Sequence, residues 1–127
     1  MESLLFIYGT LRRSGSAHHL MQGAEFLGLG TIKGRLVHVN QYPGLIIDSE
    51  SEVKGELYSA NDKLISELDR YEGCLESPPL YSAEIVKVWL EDSEASRARA
   101  YVFQQLRSHH EPIESGDWIE WVKHKNS

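Results

Sequence analysis

Short segments in which apolar and polar side chains alternate, as in half-buried strands, recur along the chain. No other sequence feature limits the possible folds as strongly. Residues 53–58, 85–90 and 97–103 alternate apolar and polar or small side chains, whereas residues 4–8 form a continuous apolar run that ends at Gly9. The first pattern is typical of half-buried strands and the second of a central strand. About six strands are predicted, at residues 4–8, 28–39, 45–47, 53–58, 85–90 and 97–103. Glycines within residues 28–39 indicate bends or bulges there.

Helical patterns are few. The clearest covers residues 62–72, and shorter ones cover residues 17–23 and 118–122. Many short, glycine-bent strands with one main helix favour the α+β class. We therefore predict a small closed β-barrel flanked by one main helix and one or two short helices. The length of 127 residues fits a single domain, residues 1–127, with its own hydrophobic core.

Charge, apolar runs and cysteine content indicate which partners and which cellular compartment to expect. The formal net charge is −6 and no basic stripe is present, so we expect no nucleic-acid partner. No apolar run approaches the roughly 18 residues of a membrane helix, and residues 1–3 lack the positive charge that opens a signal peptide. Cys74 is the single cysteine, which excludes an internal disulfide and makes a reducing cytoplasm the expected location. The sequence leaves the oligomeric state open.

The helix at residues 62–72 ends in a carboxylate on its apolar side. At about 100° per residue, with Leu64 at zero, Leu68 and Tyr71 fall near 40° and −20°, and Glu72 falls near 80°, within the same stripe as Ile65. Ser59 or Asn61 can cap the start of this helix, and Gly73 can end it.

Two interpretations of Glu72 remain open. Burial of an unpaired carboxylate raises its pKa, which suits the group to proton transfer. Alternatively, the last turn frays and Glu72 reaches water.

The turn Tyr8-Gly9-Thr10-Leu11 directly follows the predicted central strand. Gly9 permits backbone conformations that other residues avoid and lets a ligand approach closely. Successive amides of Thr10, Leu11 and Arg12 would form a nest for a carboxylate or a developing oxyanion. The alternative is an ordinary turn that ends a strand, with Tyr8 in the core and Thr10 capping the next element of the chain.

Other reactive side chains carry weaker signals. The pairs His18-His19 and His109-His110 have no further ligand at metal spacing, so we interpret them as solvated and expect no metal site. Cys74 lacks a suitably spaced partner for a nucleophile. The pair Arg12-Arg13 could bind an anionic small molecule. The segment Ser115-Gly116-Asp117-Trp118 is interpreted as a capped, structural turn.

These segments together resemble the γ-glutamylcyclotransferase-like family, which includes γ-glutamylamine cyclotransferases and short bacterial relatives. The resemblance spans nearly the whole chain, and its motifs occur in the family's order. They are Phe6-Ile7-Tyr8-Gly9-Thr10-Leu11-Arg12, Tyr42-Pro43-Gly44-Leu45, Val53-Lys54-Gly55-Glu56-Leu57-Tyr58, Leu68-Asp69-Arg70-Tyr71-Glu72-Gly73-Cys74, Leu80-Tyr81 and Ile113-Glu114-Ser115-Gly116-Asp117-Trp118.

The resemblance implies a small β-barrel and an enzyme without metal or organic cofactor. It implies that a γ-glutamyl amine or γ-glutamyl amino acid cyclises to 5-oxoproline with release of the amine. Glu72 would be the catalytic acid/base, and Tyr8, Gly9, Thr10 and Leu11 would bind the substrate. The loop at residues 74–80 is longer than in the amine-specific branch, and Ala83 stands where that branch often has arginine. The leaving group therefore stays open, as does a non-catalytic domain that keeps the pocket for a metabolite or a partner.

Overall fold

A computed structural model describes residues 2–39, 42–74, 79–91, 95–106 and 110–125. The α+β class is confirmed. The described strands are β1 (Glu2–Ile7), β2 (Glu25–Lys33), β3 (Arg35–Val39), β4 (Tyr42–Ile46), β5 (Glu52–Asn61), β6 (Tyr81–Leu90), β7 (Ser96–Phe103) and β8 (Glu111–Ile113). The helices are a 3₁₀ helix at His18–Met21, α1 at Asp62–Tyr71 and α2 at Trp118–Lys125.

Five of these strands close into the predicted barrel, in the order β1-β5-β2-β6-β7. Their neighbouring pairs are antiparallel, and a parallel contact between Leu5 of β1 and Arg99 of β7 closes the ring. The remaining three strands, β4, β3 and β8, extend the sheet outward from β7. The strand β1 therefore has neighbours on both sides, as its continuous apolar run predicts.

The strand count differs from the predicted six, because eight strands occur among the described residues. The predicted strand at residues 28–39 is in fact two, β2 and β3, separated at Gly34. A Cβ atom at Gly34 would lie 2.9 Å from Leu45 Cδ1 and 3.0 Å from Ile46 O, so β4 packs closely against this break. The other additional strand, β8, has three residues including a proline and is too short to show a period. Bends or bulges were predicted within residues 28–39, and the register of β2 with β5 shifts between Phe26 and Gly28, at the N-terminal edge of that range.

Burial on α1 follows the helical period except at its last position. Leu64, Ile65 and Leu68 are buried, and the Asn61 side chain accepts a hydrogen bond from Leu64 N at 2.9 Å. The predicted cap by Asn61 is thus confirmed. Tyr71 was expected in the buried stripe and is 48% exposed, which makes that prediction wrong. Its position on the helix is as expected, but there the helix passes the rim of a pocket rather than the core.

Two clusters of buried side chains flank β1. Leu5 and Ile7 pack in the cluster that contains the apolar face of α1, whereas Phe6 and Tyr8 pack in the cluster that contains Trp118 of α2. The end of β1 is thus fixed from both sides, which holds the turn after it. None of the helices in the described ranges has the length and apolar character needed to cross a membrane.

Candidate active site

The predicted turn and the predicted acid lie in one pocket. Tyr8, Gly9, Thr10 and Leu11 line its inner part together with Glu72. The inner part has a volume of about 20 Å³, and an adjoining outer part of about 170 Å³ shares Thr10 and Glu72 with it. The fold therefore brings together all five residues that the sequence singled out, although they come from opposite halves of the chain.

The other walls of the pocket are mostly tyrosines. They are Tyr42, Tyr81 and Tyr101 with Pro43 in the inner part, and Tyr71 and Leu80 in the outer part. These aromatic residues were not predicted as part of the site, although Tyr42 and Tyr81 lie in motifs of the family resemblance. Tyr42 and Tyr81 are each the first residue of a strand, which sequence reasoning could have used to mark them as candidates. No local feature indicates, however, that β4 and β6 meet the turn after β1.

Glu72 faces the pocket because the end of α1 is well ordered by hydrogen bonds. Its amide donates to the carbonyl of Leu68 at 2.9 Å, which continues the helical pattern. Gly73 N then donates to Arg70 O at 3.1 Å and Cys74 N to Asp69 O at 3.0 Å. With Gly73 at a φ of 74°, this is a Schellman motif. The alternative of a frayed last turn is therefore not what the structure shows.

The environment of Glu72 disfavours its charge. Burial raises the pKa of this carboxyl group to about 7, since the surrounding protein replaces water that would solvate the carboxylate. A group with a pKa near neutrality can both accept and return a proton at physiological pH. Glu72 therefore has the protonation behaviour that acid/base chemistry needs.

Two tyrosine hydroxyls inside the pocket are held by backbone carbonyls. Tyr8 donates to the carbonyl of Tyr101 at 2.5 Å, and Tyr81 donates to the carbonyl of Pro43 at 2.5 Å. Burial raises the pKa of both phenols well above the ordinary value, so they stay protonated. These hydroxyls act as fixed walls, and Glu72 is the group in the pocket that titrates near neutral pH.

The turn after β1 packs closely against the proline that follows Tyr42. A Cβ atom at Gly9 would lie 2.7 Å from Pro43 Cγ, which explains glycine at this position. Arg12 N donates to Gly9 O at 3.0 Å and closes the turn. The predicted nest is therefore wrong for the Arg12 amide. The amides of Thr10 and Leu11 donate to no other described residue, so two of the three predicted donors stay available.

The Arg12 side chain points away from the pocket into a buried ionic cluster. Its guanidinium contacts Glu56 Oε2 at 3.1 Å and Asp117 Oδ1 at 3.0 Å, and Glu56 also accepts hydrogen bonds from Arg13 N and the Tyr58 hydroxyl. Arg12 thus anchors the turn, and its guanidinium is paired with two carboxylates, whereas the neighbouring Arg13 is exposed.

The remaining candidate residues from the sequence either do not line the pocket or are not among the described residues. His18 contacts the carbonyl of Leu11 at 2.8 Å through Nδ1, and His109 is not among the described residues. Within the described ranges no group of three or more His, Cys, Asp or Glu side chains could hold a metal ion. Burial raises the pKa of the Cys74 thiol to about 11, which disfavours a nucleophilic thiolate. Asp117 caps α2 by accepting from Glu120 N at 3.1 Å, in agreement with a structural turn.

Comparison with known proteins identifies the family. Residues 5–120 match the model of the family described as gamma-glutamyl cyclotransferase, AIG2-like. A Vibrio cholerae protein with a γ-glutamylcyclotransferase name is 31% identical over 96% of this chain and 100% of its own length. The gamma-glutamylaminecyclotransferase of Rattus norvegicus is 31% identical over 66% of this chain and 62% of its own.

Solved structures agree with this assignment. The crystal structure of YkqA from Bacillus subtilis superposes with a TM-score of 0.81 at 30% identity, covering 100% of this chain and 44% of YkqA. The AIG2-like protein of Mus musculus superposes with a TM-score of 0.74 at 24% identity, covering 84% of this chain and 80% of its own, and so supports the fold alone. The chain belongs to the gamma-glutamyl cyclotransferase, AIG2-like family.

Proposed function

We propose that this protein is a γ-glutamylcyclotransferase that converts a γ-glutamyl amine or γ-glutamyl amino acid to 5-oxoproline and releases the amine. The observation that carries the proposal is the shared pocket of the Glu72 carboxyl group and the turn that contains Thr10 and Leu11. The family match and the named relatives support the same class of activity. The proposed location is the cytoplasm.

The reaction is an intramolecular acyl transfer. The α-amine of the substrate attacks its own γ-carbonyl carbon, the new C–N bond closes a five-membered lactam, and the original C–N bond to the leaving amine breaks. The α-amine loses a proton and the leaving amine gains one, so a single acid/base group can serve both steps. Because both reacting groups belong to one molecule, the main task of the enzyme is to hold the productive rotamer.

Glu72 is proposed to carry the proton between the two amines. In its ionised form the carboxylate takes a proton from the neutral α-amine nitrogen as the new C–N bond forms, and in its protonated form it delivers that proton to the departing nitrogen. A pKa of about 7 keeps both forms accessible near neutral pH. No step requires a metal ion or an organic cofactor.

The turn at residues 8–11 is proposed to bind the γ-glutamyl part of the substrate. The amides of Thr10 and Leu11 donate to no other described residue and border the inner pocket. They can therefore donate to the substrate carboxylate or to the oxyanion that forms on the γ-carbonyl oxygen. Tyr8 and Tyr81, held by backbone carbonyls, form rigid walls that keep the glutamyl chain folded on itself.

A panel assay tests this proposal. Purified protein is incubated with γ-glutamyl amines and γ-glutamyl amino acids, and 5-oxoproline and free amine are both quantified. We expect the two products in a one-to-one ratio from at least one substrate class, and the preferred class identifies the leaving group. Free glutamate in place of 5-oxoproline would indicate hydrolysis and contradict the cyclisation. No product from any substrate, with a folded protein, would favour the non-catalytic binding domain.

A further inference from the structure

A second acidic side chain on α1 connects the helix to the pocket wall. Asp69 Oδ1 accepts a hydrogen bond from the Tyr101 hydroxyl at 2.7 Å. The same carboxylate pairs with Arg99 Nη2, at 2.9 Å through Oδ1 and 2.8 Å through Oδ2. Side-chain exposures of 24% for Asp69 and 29% for Arg99 place the pair at the edge of the core, where such contacts are partly shielded from water.

The position of this cluster relates it to Glu72 in two ways. Asp69 precedes Glu72 by three residues, so the two lie on neighbouring positions of the same helical face. The carbonyl of Asp69 also accepts the bond from Cys74 N that closes the Schellman motif around Glu72. Asp69 is therefore fixed at its side chain by β7 and at its backbone by the segment that contains Glu72.

The other end of the cluster lies in the pocket itself. Tyr101 lines the inner part together with Glu72, and its carbonyl accepts the hydroxyl of Tyr8. The contacts of Asp69 thus connect the end of α1, the strand β7 and the turn after β1. Movement of the last turn of α1 away from β7 would break the bonds of Asp69 to Tyr101 and Arg99.

We propose that Asp69 is a positioning residue that acts through Tyr101 and Arg99 to hold the last turn of α1, and thereby keeps the Glu72 carboxyl group in the pocket. The inference rests on the proposed acid/base role of Glu72. The end of a helix is where helices fray most readily, and the sequence around Glu72 leaves such fraying open. The backbone bonds of the Schellman motif oppose fraying within the helix, and the Asp69 side-chain contacts add a tie from this turn to β7.

The test measures where Glu72 is as well as how fast the enzyme works. The variant Asp69→Asn removes the carboxylate partner of Arg99. We expect kcat to fall roughly 10- to 100-fold and KM to change less, because a displaced catalytic group slows the chemical step. With Glu72 released toward water, the acidic limb of the pH–rate profile should move from about pH 7 toward the ordinary glutamate range near 4.5. A purely structural role would lower the amount of folded enzyme without moving this limb.

The titratable groups that surround Glu72 are unchanged in this variant apart from Asp69. They are Tyr8, Tyr42, Tyr71, Tyr81, Tyr101 and Cys74, and Arg99 on β7 carries the nearby positive charge. Asp69→Asn leaves this charge unpaired, whereas Tyr101→Phe keeps the Asp69–Arg99 pair, so a shift in both variants is not explained by the Arg99 charge alone. The matched control is Glu67→Gln, which removes a carboxylate from an exposed position of the same helix and should leave kcat and the profile unchanged.

A second variant and a second readout keep the inference falsifiable. Tyr101→Phe removes the phenol–carboxylate bond but leaves the Asp69–Arg99 pair, and it should shift the limb in the same direction by less. NMR titration of the Glu72 carboxyl carbon in wild type and variants reports the same pKa change without turnover. Inactive wild type would contradict the proposed function alone. Active wild type with an unshifted Glu72 pKa in both variants would overturn the positioning role alone.

Discussion

At the residue scale, the carboxyl group of Glu72 lies where water solvates it poorly, and this has a consequence for stability. Its pKa of about 7 in the folded protein exceeds the ordinary value of 4.5. Between these pH values the unfolded chain has released the proton and the folded protein retains it. The free energy of unfolding therefore falls as pH rises from 4.5 to 7, by up to about 3 kcal/mol for this one group.

The substitution Glu72→Gln tests directly how much the ionised, poorly solvated carboxylate lowers the free energy of unfolding. Glutamine keeps the shape of the side chain and has no charge to desolvate. We expect the variant to be about 1–3 kcal/mol more stable than wild type at pH 8, and to match wild type at pH 4, where Glu72 is protonated in both states. Urea unfolding at the two pH values measures the difference. A variant that is less stable at pH 8 would show that the ionised carboxylate has a stabilising partner.

At the element scale, the turn after β1 is held by the buried contacts of Arg12 with β5 and with the start of α2. Glu56 is 2% exposed, so Arg12→Met leaves a carboxylate buried without its cation. Loss of one partner of a buried ion pair costs about 3–5 kcal/mol. We expect a loss of this size in the free energy of unfolding, measured by chemical denaturation.

Arg13→Met is the matched control for this loss. The neighbouring arginine is exposed, and its guanidinium carbon lies 4.2 Å from the centre of the Phe26 ring. Removal of its charge should change stability by less than about 1 kcal/mol, because exposed cation–π contacts are weak. Equal losses for the two variants would indicate that the buried cluster does not anchor the turn.

At the scale of the whole molecule, local signals predicted most elements and the position of the acid. The period-two runs, the Asn61 cap and the stop at Gly73 depend on neighbours a few residues away, and the helical period placed Glu72 toward the interior without further information. The burial of Tyr71 was predicted wrongly. The helical period predicts in which direction a side chain points, but it does not predict whether core or pocket lies in that direction.

The features that the sequence did not reveal depend on distant contacts. The partners of Arg12 lie 44 and 105 residues further along the chain. The barrel closes where β1 pairs with β7, with Leu5 opposite Arg99. The tyrosine walls likewise come from strands that meet only in the folded barrel. A family resemblance gave the order of the motifs, but the geometry that joins them required the structure.

The proposed role of Glu72 as the acid/base of a cyclisation is decided by one comparison of three proteins. Release of 5-oxoproline from the best γ-glutamyl substrate is measured for wild type, Glu72→Gln and Cys74→Ser at neutral pH, with folding checked for each. We expect product formation to be lost in Glu72→Gln and kept in Cys74→Ser, because the proposed mechanism assigns the proton transfer to the carboxyl group and no step to the thiol. Turnover that survives in a folded Glu72→Gln variant would contradict the acid/base role.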